Sequence, residues 1–197
     1  MTLPQVTSWV FLAAIAVMFN VLMQTRSAAP ETPMSASLAP SQAAATQPVA
    51  ASAAGLIVPV AQVAPAALAD TWGQARSQGR THEGIDILAP RGTPVLAAVD
   101  GRIAKFFVSE RGGITIYQFD ASQRFVYYYA HLDRRADGLA EGDVVRQGDV
   151  IAFVGQTGNA PVPHLHFEIQ RLTAERHWWE AASLNPYPYL IAGRPPD

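Results

Sequence analysis

The pattern of apolar and polar positions divides the chain into three stretches. From Val6 to Met23 it reads VTSWVFLAAIAVMFNVLM without a charge. That run matches the roughly 18 apolar residues of a transmembrane helix and exceeds the about 7–15 of a signal-peptide core. From Ser27 to Ala54 the chain is mostly Ala, Pro, Ser, Thr and Gln, with one charge, Glu31, and no aromatic residue. Such a segment buries too little surface to offset its ordering entropy, and Pro30, Pro33, Pro40 and Pro48 oppose a helix. At Leu56-Ile57-Val58-Pro59-Val60 the composition changes, and short β-type runs separated by turn residues follow.

Those runs are Thr93–Ala98, Gly101–Val108, Ile114–Phe119, Phe125–Leu132, Val144–Val145, Val150–Val154 and His164–Gln170. Arg111-Gly112-Gly113, Asp137-Gly138, Glu141-Gly142-Asp143 and Gly155–Asn159 supply turns between them. Strands of this length and spacing predict an all-β fold, an antiparallel sandwich or barrel-sandwich, with no amphipathic helix. The expected organisation is an N-terminal hydrophobic helix over 1–25, a disordered tether over 26–55 and the β domain over 56–197.

Composition narrows the chemistry. The 197 residues carry a net charge of −2 and only one lysine, Lys105, which gives no electrostatic reason to expect nucleic acid. There is no cysteine, so any metal must be held by nitrogen and oxygen. At the N-terminus no Lys or Arg precedes the apolar run, as a signal peptide would require, which favours an uncleaved anchor. Ser27-Ala28-Ala29 offers the alternative of a cleaved signal, although Pro30 follows it.

Four of the five histidines fall in a suggestive arrangement. His164 and His166 are two apart on a predicted strand and share a face. His82 and Asp86 are separated by an even gap, with Gly84 leaving room between them. His82, Asp86 and one of the two late histidines could close three sides of a zinc site, leaving a fourth for water. His82-Glu83 opens like the helical His-Glu-x-x-His signature, but position 86 is aspartate and Gly84 opposes a helix, so Glu83 is not the expected base. Alternation along Phe125–Leu132 puts His131 on one face with Phe125, Tyr127 and Tyr129, at the strand's end. His177, beside Trp178-Trp179, reads as a satisfied, half-buried hydrogen-bonding histidine.

The residues His82-x-x-x-Asp86, Gly84-Ile-Asp-Ile-Leu-Ala-Pro-Arg-Gly-Thr-Pro-Val95, Tyr129-Ala-His131-Leu and His164-Leu-His166-Phe-Glu together resemble the M23 family of lysostaphin- or LytM-type zinc metallopeptidases. The likeness runs from about Leu56 to Leu190. It implies that His82, Asp86 and His166 bind one zinc ion, and that His131 and His164 flank the water and the substrate carbonyl. The implied activity is hydrolysis of peptide cross-links in bacterial peptidoglycan by metal-activated water. No required position is missing, which argues against the alternative, a non-enzymatic envelope factor that binds peptidoglycan or activates an amidase. A lipoyl-type carrier would need a lysine at a hairpin tip, whereas Lys105 lies inside an apolar run. The expected setting is the cell envelope: an inner-membrane anchor with the domain facing the periplasm, or a periplasmic protein after signal cleavage. The expected partners are peptidoglycan, the membrane through residues 1–25 and an envelope regulatory protein.

Overall fold

The computed structural model describes residues 55–197. The expectations for the apolar segment 1–25 and for the tether up to residue 54 lie outside the described residues. Within them, nine strands run in chain order: β1 (Ile85–Leu88), β2 (Pro94–Leu96), β3 (Gly101–Ser109), β4 (Gly113–Asp120), β5 (Phe125–Arg135), β6 (Val144–Val145), β7 (Val150–Val154), β8 (His164–Leu172) and β9 (Ala181–Leu184). One helix, α1 (Pro186–Ala192), follows. Among the described residues no helix is long and apolar enough to cross a membrane.

Every strand pairing is antiparallel, with the order β1-β8-β5-β4-β3-β6 and with β9 on β8 and β2 on β7. The all-β antiparallel expectation therefore holds. The long strand β5 organises the layers. Its first half, Phe125–Ala130, pairs with β8, and its second half, Leu132–Arg135, pairs with β7. The change of partner coincides with His131, whose φ of 59° is left-handed.

Alternation separates the two faces of this sheet. Leu165, Phe167 and Ile169 of β8 and Tyr127 and Tyr129 of β5 are fully buried on the core side, with Ile85, Ile116 and Val154. Each such side chain contributes about 1.5–3 kcal/mol on burial. A polar chain crosses this core fully satisfied. The Tyr129 hydroxyl donates to Gln118 Oε1 (2.6 Å) and accepts from the Ala98 amide (3.0 Å), while Gln118 Nε2 donates to the Val99 carbonyl (2.7 Å). Buried polar groups need such partners. The opposite face, with His164, His166 and Glu168, is left for chemistry.

Two elements differ from the sequence expectation. β9 lies beyond the last run predicted as a strand, and α1 is a helix where none was expected. α1 depends on local signals rather than on periodicity, which seven residues cannot display. Asn185 Oδ1 accepts from the Tyr187 amide, Pro186 occupies the first turn and Gly193 ends the helix at a left-handed φ of 64°.

Candidate active site

β1 and β8 place Asp86 directly opposite His166. Asp86 Oδ1 lies 3.1 Å from His166 Nδ1 and 3.1 Å from His82 Nε2, and the two ring nitrogens are 2.9 Å apart. The structure thus brings His82, Asp86 and His166 together, with donor atoms all within 4.8 Å of one another. Gly84 permits the approach. A Cβ there would lie 2.5 Å from the Phe167 carbonyl oxygen and 3.0 Å from His166 Cε1. Glu83 is exposed and outside the donor set, and His177 stacks on Trp179 at the surface.

Neighbouring groups fix which atom of each ring faces the centre. His82 Nδ1 donates to the Thr71 carbonyl (2.7 Å), and His166 Nε2 donates to Glu168 Oε1 (2.7 Å). In the neutral rings this leaves the lone pairs of His82 Nε2 and His166 Nδ1 directed at Asp86 Oδ1. Thr71 also accepts the Asp86 amide at its hydroxyl (3.0 Å), so one residue orients both. The other Asp86 oxygen takes a 2.5 Å contact from Arg76, in the short turn between Ala75 and Thr81.

His131 and His164 complete the cluster, with ring centroids 4.8 Å apart. His131 reaches this position against the alternation expected from sequence. Tyr127 and Tyr129 point into the core, so simple alternation would bury His131 with them. Instead the β4–β5 register shifts between Ile114 and Ile116, and the left-handed φ at 131 turns the ring onto the face of Tyr128 and Ala130. Its Nδ1 donates to the Thr157 carbonyl (2.8 Å), and the Thr157 hydroxyl is itself tied to β5 and β4, donating to the Leu132 carbonyl and accepting from the Ile114 amide. His164 Nδ1 donates to the Val162 carbonyl (2.8 Å), and its Nε2 lies 3.5 Å from Asp86 Oδ1. All five histidine and aspartate side chains line one cleft of about 510 Å³, walled also by Arg76, Tyr128 and Arg111.

The electrostatics follow from burial and proximity. Burial alone would raise the Asp86 carboxyl, but hydrogen bonds from His164, His166 and His82 outweigh it and hold the group well below the usual carboxylate range. Burial opposes a charge on His166, yet Asp86 and Glu168 outweigh that and push it up to about 9. Burial first, then the neighbouring histidines, bring His131 down to about 4 despite the Thr157 carbonyl, so it is neutral at neutral pH.

Two imidazole nitrogens and one carboxylate oxygen, each braced from behind, form a donor set that suits zinc. The lone pairs converge on one point, where a cation satisfies what a single shared proton satisfies poorly. Sequence reasoning did not single out Thr71, Arg76, Thr157 or Glu168. Only Glu168 carried a signal, being two residues beyond His166 and so on its face.

Residues 80–182, just over half of the chain and inclusive of all five site residues, match the family described as Peptidase family M23. The L-Ala–D-Glu endopeptidase of Bacillus subtilis is 36% identical over 131 residues, covering 62% of this chain and 39% of that protein. The peptidoglycan DD-endopeptidase ShyC of Vibrio cholerae is 38% identical over 91 residues, covering 46% of this chain and 20% of that protein. The chain thus matches well under half the length of these relatives. A zinc-containing peptidase from Vibrio cholerae superposes with a TM-score of 0.53 at 25% identity, over 66% of this chain and 39% of that one. The β-sheet fold, the His–Asp–His cluster and these likenesses agree: this chain belongs to peptidase family M23.

Proposed function

We propose that the chain is a zinc-dependent endopeptidase that hydrolyses peptide cross-links of peptidoglycan. His82, Asp86 and His166 hold the ion, and His131 and His164 serve the reaction. The observation that carries this reading is the convergence of His82 Nε2, Asp86 Oδ1 and His166 Nδ1 in a cleft that also contains two further histidines. A bound zinc ion would supply Lewis acidity, lowering the pKa of water and polarising the scissile carbonyl.

The chain's own groups handle the proton. His131 and His164 each donate from Nδ1 to a backbone carbonyl, which leaves Nε2 as a lone pair. Attack of water on the carbonyl carbon releases a proton, and an Nε2 lone pair accepts it. The ring that takes the proton becomes a donor at that nitrogen. It can return the proton to the amine nitrogen as the C–N bond breaks. His131, kept neutral by burial, is suited to the first step.

The D,D cross-link is the bond we assign, since that is the activity named for the Vibrio cholerae relative. We place the domain in the periplasm, held to the inner membrane by residues 1–25, because the uncharged run Val6–Met23 has the length of a span and the proposed substrate lies outside that membrane. A reporter fused after Asp197 should be active outside the cytoplasm, and activity only inside would refute this placement.

The decisive test is digestion of purified cell walls by the protein, with metal content measured in parallel and mass spectrometry of the released fragments. We expect one zinc per chain, D,D-cleaved fragments and loss of activity with chelator restored by zinc. Full activity in metal-free protein, or a zinc-loaded protein that releases nothing, would overturn the reading.

A further inference from the structure

Beside the catalytic cleft lies a second depression of about 600 Å³, and its walls differ in kind. They are mainly aromatic, Trp72, Tyr117, Trp178 and Trp179, with Gln170 and Ser183 at the edge and one carboxylate, Glu83, on the side of the cleft. The two hollows adjoin, since Thr81, His82 and Glu83 line both.

The aromatic wall is a connected row that starts at the metal ligands. His166 meets Tyr128 at 6.0 Å between ring centroids, Tyr128 meets Tyr117 at 4.7 Å, and Tyr117 meets Trp178 at 4.6 Å. Trp178 comes from the loop between β8 and β9, which folds back across the sheet. Its ring is fixed between Tyr117 and Phe107 (5.8 Å) and meets Trp179 edge-on at 5.3 Å. Trp179 is 63% exposed, and Phe107 is 43% exposed. Trp179, with one face stacked on His177 and the rest open to solvent beside a cleft, supplies large contact area at little entropic cost.

We propose that this depression is a subsite for a neutral amino-sugar strand, the glycan of peptidoglycan. The proposal rests on the peptidoglycan reading of the neighbouring cleft. The axial C–H bonds of a pyranose ring carry a small positive charge and pack on the negative face of an aromatic ring, while hydroxyl and acetamido groups need hydrogen-bonding partners. Both are present. Gln170 gives its amide N–H to Glu168, which leaves its amide oxygen without a protein partner among the described residues.

The spacing agrees with this assignment. The three ring-to-ring steps put Trp178 within about 15 Å of His166. A stem peptide of about four extended residues spans at most ~14 Å between its sugar and the cross-link. A strand lying on Trp178 and Trp179 therefore presents its stem peptide to the histidine cluster. Binding of the glycan would raise the effective concentration of the peptide at the reacting centre.

The test separates binding from hydrolysis. A β-1,4-linked N-acetylglucosamine tetramer, which carries no peptide, is titrated into the full 197-residue chain in a detergent without a sugar headgroup, and tryptophan fluorescence is followed. We expect a saturable change, weakened tenfold or more in Trp179→Ala and in Trp178→Phe, and unaltered in Val144→Ser on the distant strand β6. The melting temperature of Trp179→Ala should stay that of the parent, since the side chain is largely exposed. In a second arm, the ratio of hydrolysis of intact cross-linked walls to that of glycan-free cross-linked peptide should fall in Trp179→Ala. No saturable change, or a change that survives both tryptophan substitutions, overturns the subsite. So does saturable, Trp179-dependent binding of a synthetic peptide of residues 27–54 that competes with the tetramer, since the chain's own proline-rich segment would then be the occupant. Trp179-dependent binding of the tetramer without any hydrolysis would support the subsite and refute the endopeptidase reading alone.

Discussion

Glu168 accepts a hydrogen bond from His166 Nε2 at 2.7 Å, and this sets the nitrogen that His166 turns toward Asp86. Without that acceptor the neutral ring can carry its proton on the wrong nitrogen. Glu168→Leu should therefore weaken zinc binding by roughly 10–100-fold. Glu168→Gln should lose less, because its amide oxygen still accepts. Competition with a chromophoric chelator measures both, and equal affinity in all three proteins would show that the tautomer is set elsewhere.

In the proposed mechanism His131 serves the reaction and stands outside the donor set. His131→Ala should keep zinc in full and lose about 10²–10⁴-fold in turnover, the range of one acid–base group. Asp86→Ala should lose the metal as well. Metal analysis and initial rates on the same preparations distinguish the two, and a His131→Ala protein with undiminished turnover would remove this residue from the mechanism.

The metal-free protein should carry a proton that zinc displaces. His166 stands at about 9 against an ordinary 6.5. A raised histidine pKa contributes stability that is complete below about 6.5 and lost as the pH climbs through about 9. The melting temperature of chelated protein should fall across that window. Asp86, held low, contributes above its ordinary value of 3.8 and so stays constant there. At about pH 7.5 zinc binding should release roughly one proton, read by calorimetry in buffers of different ionisation enthalpy. A release near zero would mean that His166 Nδ1 is already bare.

Gly84 is a steric requirement. Gly84→Ala places a methyl group 2.5 Å from the Phe167 carbonyl oxygen and against His166. The expected cost is about 1–3 kcal/mol in denaturant unfolding, together with weaker zinc binding. Wild-type stability in the alanine variant would show that β1 can move away from β8.

The opposite face of the sheet gives a control. Tyr129→Phe strands the Ala98 amide and Gln118 Oε1, at roughly 1–3 kcal/mol for each buried group left without a partner. Zinc affinity should not change, since Tyr129 points away from the cluster. Loss of metal together with stability would show that the two faces are coupled.

Part of the cluster was legible from strand geometry. His164 and His166 are two apart on a regular strand and His82 and Asp86 are evenly spaced, so period-two reasoning put each pair on one face. It left open which of His164 and His166 joins His82 and Asp86, and only the family resemblance pointed to His166. His131 was recognised, but its face was not, because a register shift and a left-handed residue leave no mark on apolar alternation. Thr71 and Arg76 were invisible for a different reason. Each acts on Asp86 from a loop, 15 and 10 residues away in sequence, and no local pattern encodes such a contact. The helix α1 was missed because two prolines in seven residues conceal it.

The backbone at His131 also bears on how this domain can change. A left-handed φ of 59° costs a histidine of order 1 kcal/mol that glycine would not incur. Glycine there would relieve that strain, but it would also empty the space of a buried ring and leave the Thr157 carbonyl without its imidazole partner. If His131 takes up the proton as proposed, the strain is what aims its ring at the cleft. His131→Gly would then give a protein that can fold and cuts nothing, so a screen of this position has to assay wall digestion beside stability.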